Sequence, residues 1–376
     1  MNDKEIGELR RRLRPDRTNI TAIRGCYVSD SREILSTFRQ SLGLMTEEDR
    51  ETYLALFKKS LSGAIDRNLL DMRFETKQVA DSPEHRLLMA LRDSKLEDEA
   101  ALKTFYETVI GGLQLEGHYL ILLAHESYDV PYRGRDGAAF GEASSEVFSY
   151  ILCAICPVKP SKSALGYAPE EKQFKTLGGA WAASQPEAGF LFPAFDRRRT
   201  NLYDTLYYTR DPADNHDELV QALFRLDSPL PAAEQKEAFG ALLSGALSEE
   251  CSLPVVQRVH DELAERIAAH KELKAEDPLT VGKSDLVPVL EGCGVSEKGL
   301  ASFQTRFDEA FGLDAQLSPR NLISPRLEVR TPDVLIQVNP ERGDLLETRV
   351  LGGVRYLLVR ADEDVEVSGV SIKIPE

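Results

Sequence analysis

His125, Glu126 and Asp129 stand directly behind the apolar run Tyr119-Leu-Ile-Leu-Leu-Ala124. An imidazole and two carboxylates at that spacing could supply a general base or two ligands of a divalent metal. A hydrolase or phosphate-acting enzyme centred on these three residues is therefore one reading. Arg133, Arg135 and Asp136 follow in a glycine-containing stretch. The plainer alternative has His125 bonding backbone groups where the strand ends, with the acids facing water. Strand alternation also sends His125 and Glu126 to opposite faces. A second constellation is Arg197-Arg198-Arg199, followed by Thr200 and Asn201. With Arg133, guanidinium groups at a hairpin tip could grip a phosphate or carboxylate bidentately. The competing reading is a solvated turn whose charges protect a sheet edge.

The remaining reactive side chains point to structure. Cys153-Ala-Ile-Cys156 has the spacing of half a zinc site, but no second pair stands nearby and both cysteines lie in an apolar run. His260 and His270 are too far apart along a helix to share a metal. The pairs Gly111-Gly112, Gly178-Gly179 and Gly352-Gly353 match neither a phosphate loop nor a dinucleotide fingerprint. No cofactor and no metal is expected.

The elements that must position these residues follow from periodicity. Residues 4–14 predict a helix with Ile6, Leu9 and Leu13 on one stripe and Arg10, Arg11, Arg12 and Arg14 around the rest. Residues 19–28 predict a strand, with a helix from near Ser31. Thr46 with Asp49 predicts a capped helix ending at Gly63, and residues 70–76 return as a strand. Ser82-Pro83 announces a helix to Arg92, followed by another over 97–110. Strands are predicted from Tyr119 to Ala124, over 147–156, over 189–196 and over 202–209, the last two joined as a hairpin by 197–201. From Pro231 helices dominate: 231–247, 254–273, 284–290 and 296–311. Strands return over 327–330, 334–338, 345–351 and 354–360, with a last one ending at Ile374.

The fold class is thus α/β or α+β: a mixed sheet layered with helices, a helical middle segment and a small C-terminal antiparallel β module. The expected division is 1–220 for the body with its basic amino-terminal helix, 221–318 for the helical segment and 319–376 for the β module, with linkers near 210–230 and 313–326.

The chain has 376 residues and a formal net charge of −16. That charge disfavours nucleic acid over most of the surface, leaving local basic patches such as the amino-terminal arginines as the alternative. Five cysteines in a long chain suggest a reducing compartment, and cytoplasm is the expected location. The amino terminus lacks the apolar stretch of a secretory signal, and the run Leu120–Ala124 is too short to span a bilayer.

The segments 19–28, 78–92, 120–132 and 189–201 resemble those of an uncharacterised family, found mainly in anaerobic Gram-positive bacteria, known as domain of unknown function 4317. The resemblance extends over nearly the whole chain and implies a bacterial, intracellular protein. It carries no activity, cofactor or catalytic residue. Without an assembled triad, metal spacing or phosphate loop, the residues favour a binding or regulatory protein with an anion-attracting arginine hairpin, its partner a protein or a small anionic ligand.

Overall fold

The computed structural model describes residues 1–133, 139–160, 164–168, 173–177, 181–273, 275–313, 315–361, 365–367 and 370–372. Within these it describes the backbone alone at 132–133, 139–145, 164–168, 173–177, 340, 341, 343 and 367. The chain forms two compact units, Met1–Pro231 and Ala232–Glu376.

The first unit is built on a sheet of β1 (Ala22–Val28), β2 (Ile34–Ser41), β3 (Leu69–Arg73), β4 (His118–Arg133), β5 (Ala139–Pro160), β8 (Trp181–Ala183), β9 (Ala188–Phe192) and β12 (Asp204–Thr209). The strand order is β2-β1-β4-β5-β9-β12-β3, with β8 on the far end of β5. Two small hairpins leave it, β6 (Ala164–Ala168) with β7 (Gln173–Leu177), and β10 (Ala194–Asp196) with β11 (Arg199–Asn201). The α/β character expected from the sequence is present, and every pairing within this sheet is antiparallel.

Helices cover both faces. On one side α1 (Asp3–Arg12) and α2 (Glu47–Lys59) bury Ile6, Leu9, Leu54 and Phe57 against Leu122, Leu152, Leu191 and Tyr208. On the other, α4 (Pro83–Asp93), α5 (Glu99–Gly112) and α6 (Asp217–Phe224) bury Leu88, Phe105, Leu219 and Phe224 against Ile121, Cys153, Phe190 and Tyr207. A short α3 (Thr76–Asp81) precedes α4. Two covered faces explain why the central strands read as unbroken apolar runs although they pair antiparallel.

The capping signals act as their chemistry requires. The Thr46 hydroxyl accepts from the Asp49 backbone N–H at the start of α2, and Ser82 accepts from His85 ahead of Pro83 at the start of α4. Two segments differ from the sequence reading. The helix expected near Ser31 is β2, because the chain turns at Ser29–Glu33 and returns antiparallel to β1, with Phe38 opposite Gly25. The stretch 210–230, read as a linker, contains α6, whose Leu219, Val220, Leu223 and Phe224 are buried core.

The second unit holds α7 (Ala232–Leu247), α8 (Leu253–Leu273), α9 (Lys283–Gly292), α10 (Glu297–Phe311) and α11 (Pro319–Leu322) around Leu242, Leu263, Leu290, Phe303 and Phe307. Leu322 of α11 belongs to the same core, although it falls in the second expected linker. Then come three two-stranded hairpins: β13 (Leu327–Arg330) with β14 (Leu335–Val338), β15 (Leu346–Leu351) with β16 (Val354–Val359), and β17 (Val365–Val367) with β18 (Val370–Ile372). Gly352 and Gly353 turn β15 into β16 at φ 59° and 83°, the left-handed pair a two-residue hairpin demands. Among the described residues no helix is long and apolar enough to cross a membrane.

Candidate functional site

Instead of ending at Ala124, β4 runs on to Arg133, so His125, Glu126 and Asp129 sit within a strand. The cause is the partner strand: β5 pairs with β4 from His118 to Arg133, whereas β1 follows β4 only as far as Ala124 and β9 follows β5 only to Ile151. His125 therefore stands at the step where the broad sheet narrows to a two-stranded ribbon.

Alternation then separates the three residues. His125, Ser127 and Asp129 face the side of α4 and α5, while Glu126, Tyr128 and Val130 face α1. Asp129 is exposed, across from Val147. The structure thus does not bring His125, Glu126 and Asp129 to one point.

His125 lies against a cleft of about 320 Å³ walled by Asn19, Thr21, Arg24, Lys95, Leu96, Glu97 and Ser127. Its Nε2 is 2.8 Å from Ser149 Oγ on β5. Burial first, then Lys95 and Arg92, press the imidazole pKa down from 6.5 to about 4, so the ring is neutral near pH 7. The loop after α4 forms the opposite wall. Lys95 and Leu96 adopt φ of 55° and 62°, a left-handed pair without glycine that costs roughly 1–3 kcal/mol per residue. Arg24 holds that shape by donating from Nε to the Leu96 carbonyl at 2.9 Å and pairing with Glu97 and Glu99. Lys95 itself is exposed and makes no ion pair among the described residues.

Glu126 has a different task. Its carboxylate accepts from Arg12 Nε at 2.9 Å and Nη2 at 2.5 Å, from the Asn19 backbone N–H at 3.0 Å and from the Tyr150 hydroxyl at 2.5 Å. Arg12 lies 4.1 Å from the centroid of the Tyr128 ring, and the Tyr128 hydroxyl donates to Glu8 at 2.6 Å. A buried polar seam thus fixes α1 to the sheet. With its acceptor positions filled by four donors, Glu126 is poorly placed to take a proton from a substrate.

The arginine hairpin joins the same seam. Arg197 and Arg198 form the β10–β11 turn at φ 49° and 58°. Arg198 donates to Glu8 at 3.0 and 3.2 Å, and its backbone N–H donates to Glu5. Asn201 is occupied locally, donating to Asp204 and accepting from the Tyr203 backbone. Arg197 and Arg199 project into solvent without an ion pair among the described residues. The hairpin lies on the α1 side, whereas the His125 cleft opens on the α4 side, so the two do not share a pocket. The side chains of Arg133, Arg135 and Asp136 lie outside the described residues.

Cys153 and Cys156 face opposite sides of the sheet, and burial pushes the Cys156 thiol up to about 12. Both behave as small apolar residues. The residues that shape the cleft and seam, Arg12, Arg24, Lys95 and Ser149, carry no local signal of their roles. Only the excess of arginine in α1 is visible, and it reads as a basic patch rather than as one inward-pointing side chain.

The depressed His125 pKa has a measurable consequence. The unfolded chain binds this proton near pH 6.5 and the folded chain only near 4, so the term is at its full favourable value above pH 6.5 and is lost as pH falls to 4. The half-buried ring retains some solvent screening, which reduces the loss to about 1–2 kcal/mol. Asp66 acts in the opposite sense, since burial raises its pKa to about 6 and acid then favours the fold. Comparing wild type with His125→Gln cancels that contribution. Between pH 7 and 4 the wild type should lose about 1–2 kcal/mol more than the variant in chemical denaturation. Parallel pH profiles would exclude the buried neutral imidazole.

No curated protein matches the chain, and no solved structure does. The model of the family described as Domain of unknown function (DUF4317) matches residues 1–370. With nearly every residue of both units inside that match, the chain belongs to this family.

Proposed function

We propose that the protein is a binding protein that takes a small polar ligand, carrying an acidic group, into the His125 cleft. The observation that carries this reading is the pairing of a neutral, half-buried imidazole with the unpaired Lys95 ammonium across a cleft of small-ligand size. Neutral His125 offers a directed hydrogen bond, Thr21 and Ser127 add hydroxyls, and Lys95 supplies the charge for a carboxylate or phosphate. The strained Lys95–Leu96 turn, pinned by Arg24, sets the wall before a ligand arrives and so lowers the entropic cost of binding. Arg197 and Arg199 remain free for a second, separate anion contact at the hairpin.

A hydrolytic reading has one specific support, the 2.8 Å bond between Ser149 Oγ and His125 Nε2. Against it stand the imidazole's low basicity, which leaves little driving force for removing a serine proton, and the commitment of Glu126 to Arg12 on the opposite face.

Calorimetric titration with inorganic phosphate, citrate and short dicarboxylates tests the proposal. At least one probe should bind, and at a hundred times its Kd it should stabilise the fold by about 2.7 kcal/mol. Lys95→Ala and His125→Ala should each weaken that binding, while Arg197→Ser with Arg199→Ser should leave it intact. Equal affinity in all three variants would remove the cleft from consideration. Turnover of p-nitrophenyl acetate that disappears in Ser149→Ala would instead favour the hydrolase.

A further inference from the structure

Trp181 is the chain's single tryptophan, and it stands 54% exposed on β8. Its indole lies 4.5 Å from the His118 imidazole, centroid to centroid, with 38° between the planes. His118 in turn lies 5.6 Å from the Tyr27 ring at 31°, and the Tyr27 hydroxyl shares a hydrogen bond of 3.1 Å with His118 Nδ1. Three rings from β1, β4 and β8 therefore form a row across one face of the sheet. They are on the side opposite His125 and seven residues up β4 from it, about 23 Å along the strand.

From this row we infer a second binding site, a seat on which the exposed part of the Trp181 indole stacks against the ring of a neutral saccharide. The row holds the indole from behind, and the pairing of β8 with Val158–Pro160 holds its backbone, so little freedom is lost on binding. An indole face carries the negative part of the ring quadrupole and attracts the C–H groups lining one side of a pyranose. The hydroxyl rim of such a ring meets polar atoms beside the row: the Tyr27 oxygen, the second imidazole nitrogen and Ser36, which is paired across from Tyr27. Two other ring-stacking ligands fit less well. A nucleotide would need a cation for its phosphate, and among the described residues no Lys or Arg bonds to the three rings. An organic cation would gain from a carboxylate at the rings, and among the described residues none bonds to them.

Trp181 is its own reporter. Titration with cellobiose, maltose and N,N′-diacetylchitobiose should give a saturable change in its emission with at least one of them, and the bound sugar should shield it from acrylamide quenching. By calorimetry, Trp181→Ala should weaken that binding more than tenfold and His118→Ala several-fold, with circular dichroism confirming the fold. His125→Ala should bind sugar as the wild type does. Absence of any disaccharide response overturns the assignment, as does a saturable response to AMP or tetramethylammonium in place of the sugars. Loss of sugar binding in His125→Ala would show that this is no separate site.

Discussion

Arg12→Met should destabilise the first unit by about 3–5 kcal/mol, the usual range when one partner of a buried ion pair is removed. The Glu126 side chain is wholly buried and that of Arg12 only 16% exposed, so little water can replace the lost guanidinium. Two of the four hydrogen bonds to the carboxylate disappear, and the stacking of Arg12 on Tyr128 goes with them. Methionine keeps most of the stem's volume, which separates loss of charge from loss of packing. The control is Glu126→Gln in the same background: without a buried charge to orphan, the double variant should recover a large part of the loss. Trp181 emission follows unfolding of this unit specifically, because the second unit has no tryptophan. A change below about 1 kcal/mol in Arg12→Met would mean that the seam is solvated and does not hold α1.

This seam also marks where the sequence stops being legible. Local signals worked where local chemistry decides the outcome. The Ile6, Leu9 and Leu13 stripe is buried as its helical spacing requires, Thr46 and Ser82 cap their helices, and Gly352-Gly353 makes its hairpin. The candidate site failed to show itself because its parts meet only through the fold. Arg12 is 114 residues from Glu126, and nothing in the segment 4–14 distinguishes it from Arg10 or Arg11. By composition the four arginines read together as one basic patch, with no member marked as facing inward.

The strand carrying His125 outruns its apolar signal for a related reason. A polar residue behind an apolar run ordinarily ends a buried strand, but β5 continues to supply backbone partners, so β4 extends through Glu126 and Asp129. Alternation across that extension decides function: it divides His125 from Glu126, giving one face a cleft and the other a clamp. Segment 31–41 shows the converse. Ile34, Leu35 and Phe38 have helical spacing, yet the turn at Ser29–Glu33 places them on an edge strand. Tertiary pairing there overrides a periodicity too short to be decisive.

Gly189→Ala should cost about 3 kcal/mol, the upper part of the range for an overpacked core, although it adds one methyl group. Gly189 lies on β9 between β5 and β12, opposite Ala154 and Tyr208, in the middle of the sheet. A Cβ there would lie 2.4 Å from the Cys153 carbonyl oxygen and 2.9 Å from Ser60 Cβ. The nearer contact is backbone, held in the β5–β9 ladder, so no side-chain rotation can relieve it. Ser60, fully buried at the end of α2, blocks the other direction. Relief requires β9 to move away from β5, and that would strain the pairing that delivers Phe190 and Leu191 to the two opposite cores. Ser60→Gly in the same background should recover only a minor part, because it removes the longer contact and leaves the shorter one. Full rescue by Ser60→Gly would show that the helix and not the sheet sets this constraint, and a Gly189→Ala protein as stable as wild type in chemical denaturation would show that neither does.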